Sequence, residues 1–478
     1  MEDRTVPAQL VWTNGTSDGL WNTAANWTDP LGGPSVVPGP GDYVLFGNLG
    51  SNTPCLMNAS SATVDRIIMD GNYTSTFTLG AGNSLTTANQ FVQYGDFIFG
   101  GSGALNVGGS LSIYGDVTNT PMMYSIATID VAADVFLQTG GTITATAYSG
   151  DELNISALAF DDDGVINVGS MSMPGNISIT GVFYQWNSAV TNVFGRSTLT
   201  FDSGGLSSST PTIQGTINVG DASFPNYGSA TIVTDTELLL NGGTLQTYQY
   251  GQNFFDGDLG VNNGGEIILG IGTSGYNELV MTTGSLAIGR SLSSSVSTAG
   301  TLTINTYSML SFPAASGADI FDVAGYGAVD MYGGFISMNT ARVSAMTLGG
   351  VLNSYGFNTG SFIAADYIFG SLINNATISF GSILHALNIS VDYIQDSGAS
   401  LSMRLDNSSL GDVINVGGTA DLDGDLNLSG LSSLTNPQTW DLIFANSILG
   451  SFASILWPDA GSWNSSILGT PSFQVAKL

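Results

Sequence analysis

Carboxylates are almost the only ionisable chemistry this chain has, with 37 Asp and Glu residues against seven Lys and Arg and one histidine. The lone histidine, His385 in Ser-Ile-Leu-His-Ala-Leu-Asn, cannot build a multi-histidine metal site. A nucleophilic triad would need it beside one particular serine and carboxylate, and no spacing marks such a pair. The densest acid run is Asp161-Asp162-Asp163, followed by Gly164. Clustered oxygen ligands are what Ca2+ requires. Consecutive residues of a strand point to opposite faces, so at most two of the three carboxylates converge unless the run is a loop. A Ca2+ site and a solvated turn both fit. Asp421, Asp423 and Asp425 alternate around Gly424, which favours a turn, and they lack the distal Glu of a helix-loop calcium site. They also miss the glycine- and aspartate-rich nonapeptide of calcium-binding β-rolls.

The formal net charge of −30 bounds the partners. No cationic patch can be assembled from arginines scattered between Arg4 and Arg404 plus Lys477, which argues against nucleic acid and anionic membrane. Cys55 is the only cysteine, so no intrachain disulfide forms. No run of 18 apolar residues offers a membrane span, and no apolar segment follows Met1-Glu-Asp-Arg as a signal peptide would require. The expectation is a mature or truncated form of an exported protein, without membrane insertion.

The elements that must position these residues are written in glycine. Among 64 glycines, many precede short alternating apolar runs. Examples are Gly108-Gly109-Ser-Leu-Ser-Ile, Gly140-Gly141-Thr-Ile-Thr-Ala, Gly242-Gly243-Thr-Leu-Gln-Thr and Gly264-Gly265-Glu-Ile-Ile-Leu; the series runs on through Gly300, Gly333-Gly334, Gly349-Gly350 and Gly398. A turn followed by a two-residue period, repeated along a chain, predicts a stacked all-β solenoid. Candidate strands include Phe77–Leu79, Phe97–Phe99, Gly164–Val168, Thr231–Val233 and Glu237–Leu240. Spacing is uneven, with 22 residues from Gly243 to Gly265 and 16 from Gly334 to Gly350, so some turns should bulge into loops, for example around Asn119–Tyr124 and Tyr184–Arg196. Helical periodicity is missing, and rungs of roughly 20 to 25 residues fit the repeat.

Three regions follow. Residues 1–50 are rich in Trp and Pro, which resist regular stacking and suit a cap over the first rung. Residues 51–390 carry the repeats, and 391–478 form a closing module where aromatic density rises again at Trp440, Trp457 and Trp463. The opening Trp12…Trp21-Asn-Thr-Ala-Ala-Asn-Trp27…Val37-Pro38-Gly-Pro-Gly-Asp42 resembles the start of secreted bacterial β-helix proteins with autotransporter-passenger-like repeats. The ending, Gly411-Asp-Val-Ile-Asn-Val…Asp441-Leu-Ile-Phe-Ala…Gly450-Ser-Phe, is similar to their closing module, and Glu2-Asp-Arg-Thr-Val-Pro-Ala8 looks like a motif of planctomycete surface proteins. The resemblance implies export, a right-handed parallel β-helix and a cell-surface or extracellular role. It supplies no catalytic residue.

Polysaccharide lyases and hydrolases also use parallel β-helices, so an enzyme is the alternative on fold grounds. Lyases of acidic sugars need Lys or Arg, which are nearly absent here. A hydrolase needs only paired carboxylates, for which Asp322 with Asp330 and Glu266 with Glu278 are candidates. The favoured expectation is a non-enzymatic secreted protein that polymerises head to tail. Thr5, Val6, Leu10 and Trp12 would supply the N-terminal contact and an added strand, with Trp457 and Trp463 at the other end. An adhesin or surface-layer subunit that recognises surface glycans is the second expectation. No cofactor beyond Ca2+ is expected.

Overall fold

The computed structural model describes residues 7–478 apart from 48–49, 121–125, 147–151, 171, 205–209, 221–228, 249–250, 272–275, 306, 314–319, 333–334, 339–344, 349–350, 355–365, 381–383, 385, 409, 432–433, 435–436 and 468–471. The regular secondary structure of the described chain is almost entirely strand, wound into a parallel β-solenoid. It forms two compact units, Met1–Thr236 and Glu237–Leu478, and the same coil is repeated in each.

A coil lays down three straight segments, each pairing in parallel with its counterparts one coil back and one coil on. In the first unit, ladder I contains Thr76–Leu79, Asp96–Gly100 and Asp116–Thr120. Ladder II contains Ser84–Thr87, Ala104–Val107 and Ile126–Val131. Ladder III contains Phe91–Gln93, Leu111–Ile113 and Asp134–Leu137. Where the corner between ladders II and III is shallow, both segments merge into one long strand, as in Glu152–Asp162 and Asn176–Gln185. In the second unit, Gly251–Asn262 merges them again. A register shift between Ser156 and Ala159 marks the bend.

The two-residue period of the sequence is what fills the interior. In Thr76–Leu79 the buried positions are Phe77 and Leu79, while Thr76 and Thr78 face outward. Register then stacks like on like, Phe77 beside Phe97 beside Val117. Each such side chain contributes roughly 2 kcal/mol on leaving water. Coil length varies: 20 residues separate the paired Phe77 and Phe97, and 35 separate the paired Ile267 and Leu302. All five candidate strands are present. The loop expected at Tyr184–Arg196 is instead a corner and a ladder I strand, Val190–Val193, because Val, Thr and Asn alternate there with the ordinary period. Of the other expected loop, Asn119 lies in the strand Asp116–Thr120, and 121–125 lie outside the described residues.

Some glycine pairs sit where coils approach too closely for a side chain. A Cβ at Gly108 would run into the Ala88 carbonyl of the preceding coil, and one at Gly417 into the Ser390 carbonyl. Both occupy the corner between ladders II and III, one in each unit.

The first unit opens with Gln9–Trp12, which pairs in parallel with Tyr43–Phe46 and antiparallel with Trp27–Thr28. Trp12, Trp21, Trp27 and Phe46 close over the first coil, with Trp12 and Trp27 ring centroids 5.0 Å apart and Trp21 and Trp27 4.8 Å apart. In the second unit parallel stacking continues through Ser447–Gly450 and Ser454–Leu456. There Ser472–Lys477 lies antiparallel on Gln438–Phe444, and Trp463–Ile467 antiparallel on Ser472–Lys477.

Candidate functional site

The acid run ends the long strand Glu152–Asp162, and the strand parity separates its members. Asp162 points inward and is fully buried, next to Gln185 and Thr191. Asp161 and Asp163 point outward and line a surface pocket of about 430 Å3 with Phe136, Gln138, Trp186 and Ser188. Trp186 is 48% exposed and presents an aromatic platform there. Desolvation pushes the Asp161 carboxyl above its ordinary value, and the nearby Asp134 charge adds to the effect. Hydroxyl donors from Ser188 and Thr139 hold Asp163 below its ordinary value. Carboxylates driven apart in this way are what acid–base pairs use. Here, however, each oxygen of Asp163 already accepts a side-chain hydroxyl. The three expected calcium ligands therefore do not converge. Among the described residues no group of three or more His, Cys, Asp or Glu side chains is placed to share a metal ion.

The other carboxylate candidates are also apart. Glu266 lies in the ladder I strand Gly265–Ile271, whereas Glu278 lies in ladder II, in Asn277–Thr283, where it accepts hydrogen bonds from Gln252 Nε2, Tyr276 Oη and Ser311 Oγ. Asp322, in ladder III, is ion-paired to Arg290 at 2.7 Å, while Asp330 is in ladder I. Neither pair shares a sheet face. Asp421, Asp423 and Asp425 are exposed around the corner at Gly424, whose φ is +63°. His385 lies outside the described residues.

The two ends use their expected contact residues differently. Leu10 and Trp12 are completely buried, and their strand is paired along both edges by its own chain, so these side chains are spent on the cap. Thr5 and Val6 lie outside the described residues. At the other end Trp457 and Trp463 are half-buried and stacked, with centroids 5.4 Å apart and planes 14° apart. Trp463 also stacks on buried Trp440 at 5.7 Å and lies under the Lys477 ammonium. Lys477 Nζ pairs with Asp459 at 2.6 Å, which, with the Trp463 indole donor, drives the Asp459 carboxyl down to about 2.

Sequence reasoning missed the unpaired strand edges. In the first unit Ser61–Val64 pairs, among the described residues, only with Ser84–Thr87. In the second, Ser447–Gly450 pairs only with Thr419–Leu422, and Ser454–Leu456 only with Asp425–Gly430, among the described residues. Each of the latter two carries an exposed leucine, Leu449 at 53% and Leu456 at 64%. No family model matches the chain, and no curated protein is similar to it.

Proposed function

We propose that the chain is a non-enzymatic structural protein of the cell surface or extracellular space that assembles head to tail into a homopolymeric filament. The observation that carries this reading is the set of parallel strand edges with no partner among the described residues, Ser61–Val64 at the start of the first unit and Ser447–Gly450 and Ser454–Leu456 at the finish of the second. An unpaired edge is a template for another chain, and natural proteins normally blunt it with charge or proline. Ser447–Gly450 and Ser454–Leu456 contain neither, and offer Leu449 and Leu456 to water instead. The edges at start and finish are different surfaces. Contact between them is heterologous, and a heterologous contact propagates as an open filament wherever its rotation does not close a ring.

The test is the double substitution Leu449→Lys with Leu456→Lys, which places charge beside both free edges without touching the core. The parent protein should sediment as a concentration-dependent series of polymers, and the variant as the 49.3 kDa monomer with an unchanged β-sheet spectrum. A parent that stays monomeric at every concentration, or polymers indifferent to the substitutions, would overturn the reading.

A further inference from the structure

The outward side of ladder II in the second unit carries a column unlike its neighbours. Register places Phe335 beside Tyr367, Tyr367 beside Asn388, Asn388 beside Asn415, and Asn415 beside Phe444. Two amides are thus bracketed by aromatic rings. Phe335, Tyr367 and Phe369 form a wall of nearly parallel rings, with Tyr367 and Phe369 centroids 5.9 Å apart and planes 11° apart. Tyr367, Phe369 and Phe444 are 36%, 43% and 42% exposed, and exposed large apolar side chains gathered on one face mark a surface for binding. Two residues beyond the amides, the chain has Ser390 and Gly417, whose small size hollows the surface between the rings. The result is an open groove of about 440 Å3. From Tyr367 to Phe444 it spans three rungs, about 14 Å.

The polar groups of the groove are amides with capacity to spare. Asn388 Nδ2 donates to the Asp366 carbonyl at 3.4 Å, and Asn415 Nδ2 donates to Asn388 Oδ1 at 2.9 Å. The ladder stops there, because the next rung presents the Phe444 ring and not another amide. Asn415, which lines the groove, has no donor to its Oδ1 among the described residues. The neighbouring Asn446, which also lines the groove, donates through Nδ2 to the Gly417 carbonyl and keeps a side-chain oxygen as a further acceptor. Among the described residues no carboxylate, lysine or arginine lines the groove.

We infer that this groove binds a neutral, hydroxyl-rich oligosaccharide lying along the ladder. Its pyranose faces stack on Tyr367, Phe369 and Phe444, and its hydroxyls bond with Asn388, Asn415 and Asn446. Flat C–H faces flanked by hydroxyls match rings flanked by amides, and a concave apolar surface with a few placed polar groups is how small-molecule sites are built. Charge selects the class: with a net −30 and no cation in the groove, an anionic glycan is repelled and a neutral one is not.

The test uses an oligosaccharide array carrying neutral β-linked glucan, xylan and mannan oligomers beside oligogalacturonate and sialylated glycans. The protein should be retained by at least one neutral class and by neither anionic one. Tyr367→Ala and Phe444→Ala, both at exposed sites, should each weaken retention about tenfold. Tyr94→Ala, which breaks an exposed tyrosine stack in the first unit with centroids 4.1 Å apart, should leave retention unchanged. The proposal fails if no neutral oligomer binds, if anionic glycans bind as well as neutral ones, or if binding survives both groove substitutions in folded protein.

Discussion

Inside the first unit, Gln185 reaches across one coil to donate its Nε2 proton to the fully buried carboxylate of Asp162, 3.1 Å away. The Gly164 N–H donates to the other oxygen at 3.0 Å. These bonds do not offset desolvation, which pushes the Asp162 carboxyl up to about 7. The unfolded aspartate titrates near ~3.9, so between about pH 4 and about pH 7 the folded state binds the extra proton. Stability therefore falls as pH rises through that window and levels off above it. Asp162→Asn should remove this slope and stabilise the protein at pH 8, by an amount on the order of a few kcal/mol. Gln185 Oε1, buried with no partner, is the acceptor a new amide could use after Gln185 turns over. Denaturant midpoints at pH 5 and pH 8 would check it. A variant as pH-sensitive as its parent would clear Asp162 of the effect.

Arg404 grips Asp412 through Nε at 2.9 Å and Nη2 at 2.9 Å, and its backbone N–H donates to the same carboxylate at 2.7 Å. Asp412 is fully buried and Arg404 nearly so. Asp412→Ala should cost about 3 kcal/mol, since it strands a guanidinium out of water. Asp412→Asn keeps acceptors for the backbone donor and should cost roughly half of that. Equal losses from the two substitutions, read by chemical denaturation, would show that charge is not what holds this corner.

The cap predicts the outcome of a truncation. Removing residues 1–12 takes out Leu10 and Trp12, both fully buried, and the Trp12 ring that packs on Trp27, and should unfold the first coils. Trp27→Ala, which also loses the bond from Trp27 Nε1 to the Trp21 carbonyl at 2.7 Å, should cost about 3–5 kcal/mol. Loss of near-ultraviolet tryptophan ellipticity is the readout, and a fully stable 13–478 fragment would contradict the burial.

Assembly should grow with salt. At net −30, copies meeting end to end repel, and the exposed Asp421, Asp423 and Asp425 sit one coil behind the free edges. Raising NaCl from about 10 mM to about 0.5 M shortens the screening length several-fold and should enlarge the polymers seen by light scattering. Dissolution of polymers by salt would mean that attraction between opposite charges holds the joint instead.

The solenoid was legible because its period survives in the plainest residues: Phe77 and Leu79, or Ile166 and Val168, alternate with polar neighbours and meet in the interior. Glycine pairs marked corners, though not which corner. Gly108-Gly109 lies between ladders II and III, and Gly140-Gly141 between ladders III and I. Gly333-Gly334 and Gly349-Gly350 lie outside the described residues. Polar residues turned inward at the end of ladder III were harder to read. Gln93, Asp162, Gln185, Asn374 and Gln395 are all buried there, and Gln93 and Gln395 donate to carbonyls of the following coil, those of Asp116 and Asp423. Each stands at an inward parity position just before a turn, a signal drowned by the surrounding Asn, Asp and Gly. The glycan groove could not be read at all. It depends on which outward residues stack across coils of unequal length, and one miscounted corner would put Phe444 next to something other than Asn415.

Unequal coils leave a mechanical signature. A chain drawn out from one terminus sheds its windings singly, because each is bonded only to the one before and the one after. Releasing the 20 residues between Phe77 and Phe97 frees about 70 Å of contour, and the 35 between Ile267 and Leu302 about 120 Å. Stretched in an optical trap, the molecule would report its own inventory of loops as a sequence of steps of differing length, a ruler with irregular gradations.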